Sequence, residues 1–136
     1  MKYHKVLIAG VAISLLTGCG ANPVSEKVTI EEKVGSLAKE RIDALMRGDY
    51  ESAISYTSDA YQLVVSPAQY AQKYSGSRSW VSAELVQVKC EVAENFCMVG
   101  FNLSYKFPRM GDVQSVKSTQ RWLRVAERWS IYHKLN

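Results

Sequence analysis

Histidine is nearly absent from this chain, and cysteine and proline are scarce: there are two His, three Cys and three Pro in 136 residues. Each scarcity excludes something. The histidines, His4 and His133, and the cysteines, Cys19, Cys90 and Cys97, form neither a C-x-x-C pair nor a zinc-type ligand spacing. A structural zinc site and a dithiol redox motif therefore have no sequence support. No glycine-rich phosphate loop and no G-x-S-x-G turn is present, so the nucleotide-binding and α/β-hydrolase signatures are missing too. No Lys/Arg cluster is interleaved with aromatics, which leaves nucleic-acid binding unsupported. Internal repeats and low-complexity tracts are lacking. No metal or other cofactor is expected. What is there is ordinary: 47% hydrophobic and 22% charged residues, the composition of a globular protein long enough for one domain.

The N-terminus stands apart. Lys2, His4 and Lys5 form a basic region, followed by an apolar run from Val6 to Leu16. Eleven residues of helix reach about 16 Å at ~1.5 Å per residue, roughly half of a ~30 Å bilayer core. The run is therefore expected to be the core of a secretory signal and not a permanent span. Leu16-Thr17-Gly18-Cys19 then resembles the lipobox of bacterial lipoproteins, in which a small residue precedes the cysteine that receives lipid. The resemblance implies cleavage before Cys19, a diacylglycerol thioether on its sulfur and a second acyl group on the new amino terminus. Each buried CH₂ contributes about 0.8 kcal/mol, and two chains suffice for stable anchoring. Removing residues 1–18 takes away two of the 17 Lys+Arg and none of the 13 Asp+Glu, so the net charge falls from +4 to +2. Residues 19–28, with Gly, Asn, Pro and Ser, read as a tether, and residues 29–136 as a single domain.

The other two cysteines fit an exported, oxidising setting. Val86, Val88 and Cys90 alternate on one face of a strand. Cys97, Val99, Phe101, Leu103, Tyr105 and Phe107 alternate on the next. Antiparallel pairing of Cys90 with Cys97 sets Val88 opposite Val99 and Val86 opposite Phe101, matching the apolar faces in the same register. A disulfide closing this hairpin is expected. A metal site or redox pair is the alternative, without a His or third Cys nearby to complete it.

Start and stop signals outline the rest. Thr29-Ile30-Glu31-Glu32 is a capping box, Val34, Leu37, Ala38, Ile42, Leu45 and Met46 follow at helical spacing, and Gly48 supplies the stop. Asp49 caps a short helix with Tyr50, Ala53, Ile54 and Tyr56, and a further turn fits 58–62. Ser66-Pro67-Ala68-Gln69 opens a helix to about Ser75, and Gly76 ends it. From Trp80 the period becomes 2, with a parity change that predicts a β-bulge near Leu85–Val86. Strands are expected over 96–107, 114–125 and 129–135, the last two paired as Leu123/Ile131 and Val125/Trp129. Helices followed by an antiparallel meander define an α+β class with a curved sheet of about four strands.

The run Ala44-Leu45-Met46-Arg47-Gly48-Asp49-Tyr50-Glu51 through Tyr56-Thr57-Ser58 resembles the first helices of the NTF2-like (cystatin-like) superfamily. Val86-Gln87-Val88-Lys89-Cys90, Cys97-Met98-Val99 and the Trp-containing final hairpin are similar to exported members of it. The resemblance, over about 30–136, implies a sheet curled into a cone around its helices. The superfamily holds isomerases, dehydratases, transport factors and inert binding modules, so it implies no single activity.

Candidate pocket residues for such a cone are Tyr56, Phe101, Tyr105 and His133. His133 shares parity with Trp129, Ile131 and Leu135, which would set it in an apolar pocket. The favoured reading is a non-catalytic envelope lipoprotein whose domain binds a small apolar ligand or a protein partner. The alternative is an isomerase- or hydratase-like enzyme using His133 with a pocket tyrosine. Homodimerisation through the outer sheet face is a further expectation, with Trp122 and Arg124 as its surface. Gly20 stands where Asp would signal inner-membrane retention in Gram-negative lipoproteins, so the periplasmic face of an outer membrane is expected in such a cell. Replacing Cys19 by Ser should move the protein from the membrane to the soluble fraction of lysed envelopes. Retention of the variant in the pellet would contradict lipid anchoring.

Overall fold

The computed structural model describes residues 28–109 and 111–135, so the signal, Cys19 and all but the end of the tether lie outside the described residues. Four helices precede four strands: α1 (Ile30–Arg47), α2 (Tyr50–Ser55), α3 (Asp59–Val64), α4 (Pro67–Lys73), β1 (Trp80–Glu91), β2 (Phe96–Tyr105), β3 (Gln114–Val125) and β4 (Arg128–Ile131). Short 3-10 turns over Ser75–Ser79 and Val92–Glu94 join α4 to β1 and β1 to β2.

Local chemistry explains where the helices begin and end. Glu32 N–H donates to Thr29 Oγ1 at 3.1 Å, and Thr29 N–H donates to Glu32 Oε2 at 2.7 Å. That reciprocal box satisfies donors that α1 leaves without intrahelical partners. Gly48 ends α1 at φ 75, a left-handed turn that a Cβ would resist. Asp49, Ser58 and Ser66 cap α2, α3 and α4 in turn, and Pro67 opens α4.

The strands form one antiparallel meander in the order β1-β2-β3-β4. Its concave face receives α1, burying Val34, Ala38 and Ile42 against Cys97, Val99, Phe101, Leu103, Trp122 and Trp129. A second cluster, Ala44, Leu45, Ala53, Ile54, Tyr61 and Tyr70, joins the helices to one another. Close approach of α1 to the sheet occurs at Gly35, where an added Cβ would meet Leu85 and Val88 side chains at 3.2 Å. The disulfide Cys90–Cys97 is present and pairs β1 with β2 in the expected register, with Val88 opposite Val99.

Three details of the sheet differ from the sequence reading. The bulge expected near Leu85–Val86 is there, between Leu85 and Gln87, but it takes Val86 out of the ladder, so Leu85, not Val86, faces Phe101. A bulge adds one residue and flips the parity behind it. The β3–β4 pairing is offset by one residue: Trp122 faces Ile131, Leu123 faces Ser130 and Arg124 faces Trp129. The connection has only two residues, Ala126 and Glu127, with φ of 48° and 64°. Positive φ at both positions is the type I′ signature that suits the strand twist, here built without glycine. A one-residue offset exchanges the faces, so Trp122 is wholly buried and cannot form the expected outer dimer surface. Finally, β4 stops at Ile131, and Leu135 is exposed.

The reason for that early stop lies in the helices. Ile131 N–H donates to Tyr56 O at 2.9 Å, and Thr57 forms a parallel bridge to Ile131. The chain leaving β4 is thereby drawn across the open end of the cone. Left-handed conformation costs a non-glycine residue about 1–2 kcal/mol, while glycine adds an unfolded-state entropy loss. Ala126→Gly, which removes no side-chain contact beyond one methyl, should therefore raise stability by about 0.5–1 kcal/mol, read as a higher urea midpoint at unchanged slope. A lower midpoint would refute the two-residue turn.

Candidate functional site

The concave face holds a recess of about 290 Å³ whose wall includes Arg41, Ile42, Tyr74, Trp80, Gln120 and His133. Each wall residue comes from a different constraint. Arg41 lies three residues after Ala38 and four before Leu45, so helical geometry places it on the buried stripe of α1. It is 2% exposed. Its Nε and Nη2 donate to Tyr70 Oη at 3.0 and 2.6 Å, and the guanidinium stacks 5.0 Å from the Tyr74 ring centre. Nη1 has no hydrogen-bond partner among the described residues. The ion pairs among those residues, Lys39–Asp43, Arg124–Glu127 and Arg128–Asp59, all lie elsewhere. The buried cation thus faces the recess with phenols as its only polar company from the helices.

His133 closes the other side. Its Nε2 lies 3.4 Å from Tyr70 Oη and 3.5 Å from Tyr74 Oη, and its ring centre is 5.0 Å from that of Tyr61. Burial, and then the charges of Arg41 and Lys73, push its pKa down to about 3, so the ring is neutral at physiological pH. Burial also holds the Tyr70 phenol well above its usual range. Gln120, on the inner face of β3, accepts from Trp122 Nε1 at 3.0 Å through its Oε1, which leaves its amide N–H groups as the remaining polar function.

Of the four pocket residues expected from sequence, only His133 lines this recess. Tyr56 Oη donates instead to Glu40 at 2.9 Å. Phe101 is packed in the core between sheet and α1. Tyr105 meets Phe107 edge-on, with ring centres 5.2 Å apart, along a groove that adjoins the recess and shares Tyr74, Trp80 and Ser118 with it. In their place the fold supplies Arg41 and Tyr74, with Tyr70 behind them in contact with both Arg41 and His133. The spacing that could have revealed Arg41 is its position on an otherwise apolar stripe. The tyrosines carry no such signal, because they meet His133 only after the chain returns from 59 to 63 residues away.

Besides the groove at Tyr105, of about 420 Å³, two further depressions of about 600 and 410 Å³ are larger than the recess. Their charged side chains, such as Lys89, Lys117 and Arg128, are exposed, so neither combines enclosure with a desolvated polar group. Among the described residues no group of three or more His, Cys, Asp and Glu side chains converges as a metal site requires, and no helix is long and apolar enough to cross a membrane.

Neither a family model nor a curated protein matches the amino-acid sequence. Solved structures do match in shape. A SEC-C motif-containing protein of Rhodopseudomonas palustris aligns with a TM-score of 0.57 at 12% identity, over 72% of this chain and 73% of that one. An NTF-2 like protein of unknown function from Shewanella oneidensis aligns with 0.52 at 19% identity, over 74% and 92%. A SEC-C motif-containing protein of Psychrobacter arcticus gives 0.56 at 16% identity, over 73% of this chain and 56% of its own. At these identities the likeness concerns the fold, which is α+β and NTF2-like.

The site has a measurable pH signature. The unfolded imidazole titrates near 6.5 and the folded one near 3, so between these values the unfolded state binds the extra proton. Stability from this group is full above pH 6.5 and is lost as pH falls toward 3. The slope should stay below the limit of about 1.4 kcal/mol per pH unit, because the ring keeps partial contact with solvent. Between pH 6.5 and 5, above the carboxylate range, urea midpoints should fall for the parent protein and stay flat for His133→Asn. Identical profiles would contradict a neutral buried His133.

Proposed function

We propose that this protein is a lipid-tethered envelope protein whose NTF2-like domain binds a small molecule, without chemistry, in the concave recess. The observation that carries the reading is the recess itself. It combines three apolar side chains, Ile42, Trp80 and Ile131, with a larger set of convergent polar groups that include Arg41, Tyr74, Gln120 and His133, and placed polar groups are what orient a ligand in a small-molecule site. At about 290 Å³ and ~30 Å³ per water-sized volume, its occupant has about ten non-hydrogen atoms. The anchor rests on the lipobox-like Leu16-Thr17-Gly18-Cys19 and on the basic and apolar residues before it.

An acid–base enzyme fits these groups less well. A general base works best with a pKa near the operating pH, whereas His133 is held near 3 by burial and two cations. No carboxylate lines the recess to orient the imidazole or to take a proton. A protein partner would need the outer surface, where Leu63 and Val64 of α3 are exposed; those residues do not border the recess.

Indole, neutral and of suitable size, tests the reading by two-dimensional NMR. Titration should shift the amides of Ile42, Ile131 and His133. Ser118→Phe, which places a ring at the wall of the recess, should weaken indole binding at least tenfold while leaving the circular dichroism spectrum unchanged. No shift, or shifts confined to Met98 and Lys117 on the outer face, would overturn it.

A further inference from the structure

The recess is more particular than an apolar slot. Resting on the small-ligand reading above, we propose that it selects molecules carrying one carboxylate, which Arg41 receives, on an apolar body of about ten non-hydrogen atoms. Three observations converge on this. First, Arg41 is a guanidinium at 2% exposure with no anionic partner among the described residues. Desolvating a charge is unfavourable unless it is paired, and the stacked and hydrogen-bonded phenols of Tyr74 and Tyr70 compensate only part of the cost. The residue also lines a cavity, so an entering anion can complete the pairing.

Second, the polar groups of the wall favour donation. Arg41 has donors only. Gln120 has its oxygen occupied by Trp122 Nε1 and keeps its N–H groups. The hydroxyl of Tyr74 and the neutral ring of His133 each carry one further donor hydrogen. A head group that only accepts hydrogen bonds matches such a wall, and charge-assisted bonds from guanidinium to carboxylate are the strong ones. Third, one desolvated cation balances one negative charge, and Ile42, Trp80 and Ile131 provide the contact surface for an uncharged body. An acyl chain and an aryl ring share that chemistry.

Octanoate and its amide, each of ten non-hydrogen atoms, differ only in the head group, and benzoate with benzamide gives the aryl pair. At pH 7 the acids should bind at least tenfold tighter than the amides by calorimetry. Which acid binds tighter separates an acyl from an aryl source. Arg41→Gln should abolish the preference for acid over amide, and Arg41→Lys should restore part of it. The parent protein provides a readout that no loss of folding can confuse, namely the titration of His133 followed through its ring resonances. Arg41 faces this ring from α1, Tyr61 from α3, Tyr70, Lys73 and Tyr74 from α4, and Arg121 and Tyr132 border the same recess. A bound carboxylate offsets the two nearby cations, so octanoate should raise the apparent pKa and octanamide should leave it in place. Equal affinity for acid and amide, or an unmoved His133 in saturating octanoate, overturns the proposal while indole binding keeps the recess as a ligand site. Failure of indole, acids and amides together overturns both readings.

Discussion

The register between β3 and β4 governs the architecture of the concave side. A two-residue turn at Ala126–Glu127 puts Ile131 opposite Trp122, the largest side chain of β3 and wholly buried, and so turns Ile131 into the core. Trp122 in turn holds the oxygen of Gln120, and Ile131 is tied to the backbone of Tyr56. Because β2 holds β3 with Trp122 opposite the buried Cys97, shifting the β3–β4 pairing by one residue would turn Ile131 outward and bring Ser130 or Tyr132 to the inner face. It would also move the chain end that carries His133. The hairpin is thus what brings a residue of the C-terminal segment against the tyrosines of α3 and α4.

Those tyrosines shape the electrostatics as much as the packing. A guanidinium buried among phenols and beside an imidazole is a cluster in which the neutral partners yield to the fixed charge. Burial chiefly, with the charges of Arg41 and Lys73 added to it, takes the proton from the histidine, and burial outweighs the pull of Arg41 so that the Tyr70 phenol keeps its own. The result is a pocket whose one buried formal charge resides on α1, the helix packed against the sheet, while Arg121 at its border is exposed. Rigid support of that charge limits the reorganisation needed on binding, the usual advantage of preorganised sites.

How much of this was legible in the sequence follows from the range of each signal. The caps Thr29, Gly48, Asp49 and Ser66-Pro67 act within four residues, and all four appear where their chemistry places them. The Cys90–Cys97 register was readable because two independent patterns, thiols and apolar alternation, agreed on it. Beyond the bulge that agreement ended, and Val86 took the place that Leu85 occupies. The last hairpin was misaligned because Ala126 and Glu127 adopt a conformation that glycine or asparagine usually announces. Arg41 was passed over because a charged residue on an apolar stripe resembles an interruption, when here it is the functional member of the stripe. Tyr70 and Tyr74 reach His133 through tertiary folding alone, which no local period encodes.

The two borders of the sheet are protected in different ways. At one, β4 is only four residues long and its outward backbone meets Tyr56 and Thr57. At the other, β1 has twelve residues but is interrupted by irregularities after Trp80 and Leu85 and carries Glu84, Lys89 and Glu91. Brevity with a cover on one side, and kinks with charge on the other, are the devices by which sheets resist recruiting foreign strands. Copies of this domain crowded together are consequently discouraged from joining edge to edge into extended sheets, and any association between them is left to the broad faces.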